Sequence, residues 1–68
     1  MTDENVKLKI HRENIHICSY MCYYYNITFK DIADKLGMSI HEFQEMTYKC
    51  PNKLLFKLVN LLNEMEEN

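Results

Sequence analysis

The sequence predicts a small all-α domain, a bundle of four to five helices, on three observations. The chain has 68 residues, which suffice for one hydrophobic core and are too few for two. Apolar residues make up 47% of the chain, an ordinary share for a folded globular protein. It contains one glycine and one proline, whereas a sandwich or barrel needs turn-forming residues about every 8 to 12 positions.

The first eleven residues are predicted to form an N-terminal arm or a short strand, ahead of a domain over residues 12–65. Residues 6–11 alternate apolar and polar side chains, which is the period of a half-buried strand. A single strand would have to pair with a second copy or with another segment, so a flexible or helical arm is the alternative. Residues 66–68 are predicted to be an acidic tail.

The first helix is predicted over about residues 12–25. No helix breaker interrupts this segment, and Ile17, Met21 and Tyr24 recur on one helical face. Because three consecutive tyrosines at positions 23–25 cannot all face inward, we expect at least one ring to lie partly exposed or to cover an interface.

Cys18 and Cys22 are interpreted as small core residues. The chain has three cysteines, an odd number that cannot pair fully within one chain, so a disulfide framework is not expected. Cys18 and Cys22 lie four residues apart on one helical face, with His11 and His16 upstream as further conceivable zinc ligands. Structural zinc motifs usually place closely spaced cysteines in loops, and cysteine is often buried. We therefore expect neither a metal nor another cofactor.

The second helix is predicted over residues 29–36. Thr28 is a good N-cap, since its hydroxyl can accept a hydrogen bond from a first-turn amide, and Asp31 lies near the positive helix end. Gly37 follows at the position where a helix ends in the left-handed conformation, which glycine adopts without steric cost. A sharp turn is expected there.

A third helix is predicted to begin within two residues of that turn. Ser39 and Glu42 form the S-x-x-E pattern of a capping box, which marks its start, and it should run to residue 46 or 47. Residues 48–52 are then predicted to form a loop.

The last helix is predicted to open at Pro51 or Asn52 and to carry more apolar surface than one core contact needs. Its apolar residues span roughly 160° of the circumference, against about 100° for a core-facing stripe. We interpret the surplus as a homodimer seam, with a helix wrapped deeply by its own chain as the alternative. The seam residues that we expect are Leu55, Val59 and Leu62.

Residues 29–46 meet the requirements of a helix-turn-helix. Ala33 supplies a small side chain where the two helices approach most closely, and Gly37 supplies a positive φ. Side-chain size, backbone conformation and the pattern of polar and apolar residues all agree with this motif over one stretch, which is stronger evidence than any one of these signals alone. An ordinary bundle whose helical hairpin carries this pattern by accident is the alternative. The apolar residues that should face the rest of the domain are Ile32, Leu36, Met38, Phe43 and Met46.

The stretch from Ile27 to Ser39, ITFKDIADKLGMS, resembles the Cro/CI-type repressor family, often called the XRE family. In that family a helix precedes the pattern T-x-x-x-I-A-x-x-x-G-h-S, where h is apolar. The resemblance extends from about residue 17 to residue 62 and implies a Cro/CI repressor-like bundle. It also implies a small transcriptional regulator, of a phage, a plasmid or a bacterium, that binds an operator in double-stranded DNA as a homodimer. The sequence departs from the family pattern at Lys30, where glutamine is usual, and in its acidic recognition helix.

The exposed face of the third helix is predicted to contact DNA bases. Gln44 can bond to an adenine edge, His41 can donate to guanine N7 or a phosphate, and Ile40 can touch a thymine methyl group. Ser39, at the start of the helix, is a fourth predicted base contact. Phosphate contacts are expected where the family contacts the DNA backbone, at Thr28, Lys30, Lys35, Lys49 and Lys53.

The charge balance leaves a second function open. The formal net charge is −2, and the recognition helix carries Glu42 and Glu45 but no lysine or arginine over residues 39–46. A DNA-binding protein usually carries a basic patch. A protein-binding inhibitor or antirepressor of phage type, built on the same scaffold, is therefore the alternative.

The sequence predicts neither an enzyme nor a membrane protein. It shows no order of nucleophile and base and no paired-carboxylate pattern, and a chain of this size has little room for a shaped pocket, so we do not expect an enzyme. No apolar run approaches the roughly 18 residues of a membrane span, and the acidic start is unlike a signal peptide. We expect a cytoplasmic protein without a membrane partner.

Overall fold

The computed structural model describes residues 3–67, which form four helices. They are α1 (Asp3–Tyr25), α2 (Phe29–Lys35), α3 (Ile40–Lys49) and α4 (Pro51–Glu67). The described residues contain no strand. The predicted all-α bundle is thus confirmed, with four helices.

Of the alternatives predicted for residues 6–11, the strand is wrong and the helical arm is right, because these residues belong to α1, which runs unbroken through position 12. A helix pairs its backbone groups within the segment, whereas a lone strand would leave an edge unpaired. Val6 and Leu8 are exposed, so the alternation that suggested a strand buries no face. At the other end α4 continues to residue 67; positions 1, 2 and 68 of the predicted arm and tail lie outside the described residues.

The core lies mainly between the two long helices, and α2 and α3 close one side of it. α1 contributes Cys18 and Met21, and α4 contributes Leu54, Leu58 and Leu61, all of them buried. Burial, and secondarily the neighbouring thiol of residue 22, raises the pKa of Cys18 to about 12. Cys18 is therefore a neutral core side chain, as the sequence indicated.

Asn14 ties α1 to the start of α4. Its side chain is fully buried, and its Nδ2 donates a hydrogen bond to the backbone oxygen of Pro51 at 3.1 Å. A buried amide is costly without partners, so this bond favours one placement of α1 against the junction between α3 and α4.

Both short helices begin with a complete capping box; the sequence predicted the box of α3, and at α2 it predicted the Thr28 N-cap alone. At α2 the Thr28 hydroxyl accepts from the Asp31 amide at 3.2 Å, and the Asp31 carboxylate accepts from the Thr28 amide at 2.9 Å. At α3 Ser39 and Glu42 make the same reciprocal pair, at 3.1 and 3.2 Å. Each box satisfies amide groups that a helix start leaves unpaired.

The turn between α2 and α3 is built around Gly37, whose φ of 75° confirms the predicted left-handed conformation. The amide of Gly37 donates to the Asp34 oxygen and that of Met38 to the Ala33 oxygen, each at 3.0 Å. These two bonds are the Schellman arrangement that ends a helix at a left-handed residue. Asn26, on the other side of α2, also has a positive φ, 55°.

The loop predicted at residues 48–52 is wrong, because α3 runs to Lys49 and Cys50 alone separates it from α4. Side-chain contacts hold the last turn of α3. The Thr47 hydroxyl is part-buried and donates to the Gln44 oxygen at 2.6 Å. The Tyr48 ring packs against α1, so tertiary contacts outweigh the local signals that suggested a loop.

Candidate nucleic-acid interface

α3 buries one face and presents the other to solvent. Phe43 and Thr47 are buried, and Met46 is half-buried. The opposite side, here called the outer face, carries only exposed side chains. These are Ile40, His41, Gln44, Glu45 and Tyr48.

The outer face brings together three of the four predicted base contacts. Ile40, His41 and Gln44 are exposed side by side on the first two turns of α3. The Gln44 side chain makes no hydrogen bond to the described part of the chain, so its donors and acceptor face solvent. Ser39 lies at the N-cap instead, where its hydroxyl accepts from the Glu42 amide and keeps one proton to donate.

Both carboxylates of α3 have local partners. Glu42 accepts from the Ser39 amide in the capping box. Glu45 lies between two side chains, with Oε2 at 3.7 Å from Lys49 Nζ and Oε1 at 3.4 Å from His41 Nε2. The second contact is an ion pair only when His41 is protonated. These contacts lessen, without removing, the repulsion that the carboxylates would exert on a phosphate.

The predicted phosphate contacts on α2 are accompanied by acids. The Lys30 Nζ lies 3.8 Å from Asp34 Oδ2, with both groups exposed. The backbone and side-chain hydrogen bonds from Thr28 lower the pKa of Asp31, which keeps a negative charge beside the Thr28 hydroxyl. Lys35, in the last turn, is exposed. α2 therefore carries two lysines and two aspartates and has no net charge.

The predicted contacts Lys49 and Lys53 lie together where α3 meets α4. With Lys7 of α1 they line a pocket of about 350 Å³, here called the junction pocket, which contains no carboxylate. α4 begins at this pocket and has no acidic residue in its first turn. The start of a helix presents unpaired amides and the positive end of the helix dipole. The positive end of α4 therefore adds to the positive charge of the lysines at this pocket. Lys7 was missed, because only a helix running through residues 6–11 brings it to the pocket.

The other edge of α3 borders an apolar groove against α1, here called the α1–α3 groove, with a volume of about 400 Å³. The ring of His11 in α1 stacks on Tyr48, with centroids 5.5 Å apart and planes 23° apart. No carboxylate lines the groove. The sequence pattern did not indicate it, since its two sides lie about thirty positions apart in the chain. Its lining residues are His11, Ile15, Phe29, Ile40, Phe43, Gln44, Thr47 and Tyr48.

The predicted dimer residues lie along one side of α4. Val59 is 40% exposed, and Leu55 and Leu62 are half-buried, Leu62 against the core. Phe56 is 70% exposed and was missed, since the sequence interpretation followed the positions that repeat with the core stripe. Its spacing of three residues from Val59 is the signal that could have identified it.

Neither a metal centre nor a known relative identifies the site. Within residues 3–67 no group of three or more His, Cys, Asp and Glu side chains could hold a metal ion. Among the helices of that range, none combines the length and the apolar character needed to span a bilayer. No family model, no curated protein and no solved structure matches the chain.

Proposed function

We propose that the protein is a small cytoplasmic transcriptional regulator of Cro/CI type, which binds operator DNA as a homodimer through a helix-turn-helix formed by α2 and α3. The observation that supports this best is the outer face of α3. Ile40, His41 and Gln44 lie exposed on a helix that follows α2 directly after the Gly37 turn. A helix with its side chains is about 10 to 12 Å wide, which the major groove of about 12 Å accommodates.

Each outer-face side chain has a matching chemistry in the major groove. The Gln44 amide can donate to N7 and accept from the N6 amino group of adenine in a bidentate pair. Ile40 offers an apolar contact to a thymine methyl group, and His41 can donate to guanine N7. These contacts give specificity, and the junction pocket would bind the DNA backbone through Lys49, Lys53 and the start of α4.

Replacement of Gln44 by alanine tests the base-reading role. We expect Gln44→Ala to weaken binding to the operator by about 1 to 3 kcal/mol and to leave nonspecific binding nearly unchanged. The measurement is fluorescence anisotropy with labelled fragments that flank the protein's own gene, against a scrambled duplex. His16→Ala, which removes an exposed side chain from α1, is the matched control. Equal loss on every duplex would refute base reading, and no binding to any fragment by the unaltered protein would refute the function.

A second candidate function is favoured by two observations around α3. The four lysines of the predicted phosphate contacts are matched by four acids in α2 and α3, Asp31, Asp34, Glu42 and Glu45. The α1–α3 groove is apolar and free of carboxylates, so it fits an apolar side chain from a protein surface. An inhibitor or antirepressor of phage type would use this groove in place of the junction pocket.

The dependence of binding on salt separates the two functions. Each phosphate contact contributes about −0.9 to the slope of log K against log salt concentration, so a DNA complex should weaken steeply between about 50 and 200 mM salt. A complex formed in the α1–α3 groove should change little over that range, because apolar contacts are not screened. Titration of DNA and of a candidate protein partner over the same salt series measures both.

A further inference from the structure

We propose that two copies of this chain pair through α4 in antiparallel orientation, about a two-fold axis that passes between Val59 and Asn60. The proposal rests on the homodimer of the proposed function. It gives that dimer a surface, an orientation and the residues that set both.

The pairing surface is the side of α4 that its own chain leaves uncovered. Phe56 and Val59 are exposed, and half-buried Leu55 and Leu62 flank them. These four residues are here called the α4 seam. Residues 55, 59 and 62 follow the alternating spacing of four and three that brings side chains to one side of a helix pair. Phe56 is the natural anchor, because exposed aromatic side chains contribute most where a protein surface becomes covered.

The charges along α4 select the antiparallel orientation. The first half of the helix carries Lys53 and Lys57 and no acid, and the second half carries Glu64, Glu66 and Glu67 and no base. A parallel pair would bring equal charges together at both ends. In an antiparallel pair the basic half of each copy lies along the acidic half of the other, and the two-fold axis repeats that match.

The register follows from where these charges lie relative to the seam. About an axis between residues 59 and 60, position 53 of one copy lies opposite position 66 of the other. Lys53 lines a shallow surface pocket together with Phe56, so it borders the seam. Glu66 and Glu67 follow Leu62 by about one helical turn, so both carboxylates come within reach of Lys53 of the other copy.

The orientation also suits a dimer that reads two half-sites. In the antiparallel pair the two Cys50 positions, where α3 joins α4, lie about 29 Å apart along the helix axis at about 1.5 Å per residue. Half-sites one turn apart are separated by about 34 to 36 Å. A parallel pair would instead place both α3 helices at one end, about one helix diameter apart.

Sedimentation equilibrium without DNA tests the seam. The unaltered protein should sediment as a dimer, and Phe56→Ser should raise the dimer Kd roughly thirtyfold or more. Tyr23→Ser, which removes an aromatic ring that is 84% exposed on α1, is the matched control and should leave the Kd unchanged. A monomer at all concentrations, or a dimer indifferent to Phe56→Ser, overturns the proposal.

A charge exchange tests the orientation. Lys53→Glu and the pair Glu66→Lys with Glu67→Lys should each raise the dimer Kd roughly three- to tenfold, because two equivalent contacts are lost. All three changes together should restore most of the affinity, and circular dichroism checks that each variant stays helical. If the single changes have no effect or the combination restores nothing, the antiparallel orientation is wrong. DNA is absent throughout, so the result is independent of the Gln44→Ala measurement of the proposed function.

Discussion

The two edges of α3 differ in chemistry although they belong to one ten-residue helix. One edge is charged: Glu42, Glu45 and Lys49 lie along it and lead to Lys53 and the junction pocket. The other is the apolar α1–α3 groove, closed by the stack of His11 on Tyr48. The charged edge suits the phosphates of a polyanion, whereas the groove, which Ile40 and Gln44 also line, suits a protein side chain. Because the proposed DNA complex also uses Ile40 and Gln44, the dependence of binding on the junction-pocket lysines decides between the two proposed functions.

The largest effect is expected from reversing the charge of the junction pocket. Lys7→Glu combined with Lys49→Glu should weaken DNA binding about a hundredfold at low salt and make the salt slope shallower by about two units, because two cationic groups of the junction pocket are lost while Lys53, which the α4 pairing also uses, is kept. Fluorescence anisotropy over a salt series measures both quantities. Ile15→Ser, in the groove on the other edge, is the control and should leave DNA affinity within about twofold. If Ile15→Ser were the more damaging change, the apolar edge would be the binding edge.

A smaller, opposite effect is expected from the acid on the charged edge. Glu45→Gln keeps the size and polarity of the side chain but removes a charge that faces the same direction as Lys49. We expect the affinity for DNA to rise about two- to fivefold, because a like-charge repulsion with phosphate is lost. The same anisotropy assay measures it, with Glu13→Gln on the exposed surface of α1 as control. An unchanged or lower affinity would mean that Glu45 itself contacts a base or that DNA binds elsewhere.

The smallest effect concerns Asp31, in the first turn of α2, and depends on pH. Hydrogen bonds from Thr28 lower the pKa of Asp31 in the folded state, so its ionised form contributes stability above the unfolded pKa. That contribution is lost as pH falls through the folded pKa. Urea unfolding of the unaltered protein and of Asp31→Asn should therefore differ most near neutral pH and converge in acid. A difference that stays constant with pH would show that the carboxylate charge is not what stabilises the start of α2.

Local signals in the sequence predicted the α2–α3 region well. The two capping boxes and the left-handed conformation of Gly37 each depend on residues within four positions of one another. A short segment of sequence therefore contains all the residues that determine them. Ala33 was placed by the same reasoning and is buried. The order of the helices and the exposure of Ile40, His41 and Gln44 followed from these signals.

Features that depend on distant contacts were not predicted. Six alternating residues cannot distinguish strand from helix, and α1 is placed by bonds such as that between Asn14 and Pro51, 37 positions apart. The extension of α3 depends on the contact of Tyr48 with His11. The α1–α3 groove and the contribution of Lys7 to the junction pocket follow from these same placements.

The two positive φ angles that flank α2 have a consequence for how its surface can evolve. The chain enters the seven-residue helix past Asn26 and leaves it at Gly37, so backbone torsions at two corners, together with buried Ile32 and Ala33, set its direction. The exposed side chains of Thr28 and Asp31 hold the helix start through the capping box, whereas Lys30, Asp34 and Lys35 take no part in that arrangement. Substitutions on the solvent-facing side of α2 can therefore adapt the helix to a new partner while the backbone and core that position it stay the same.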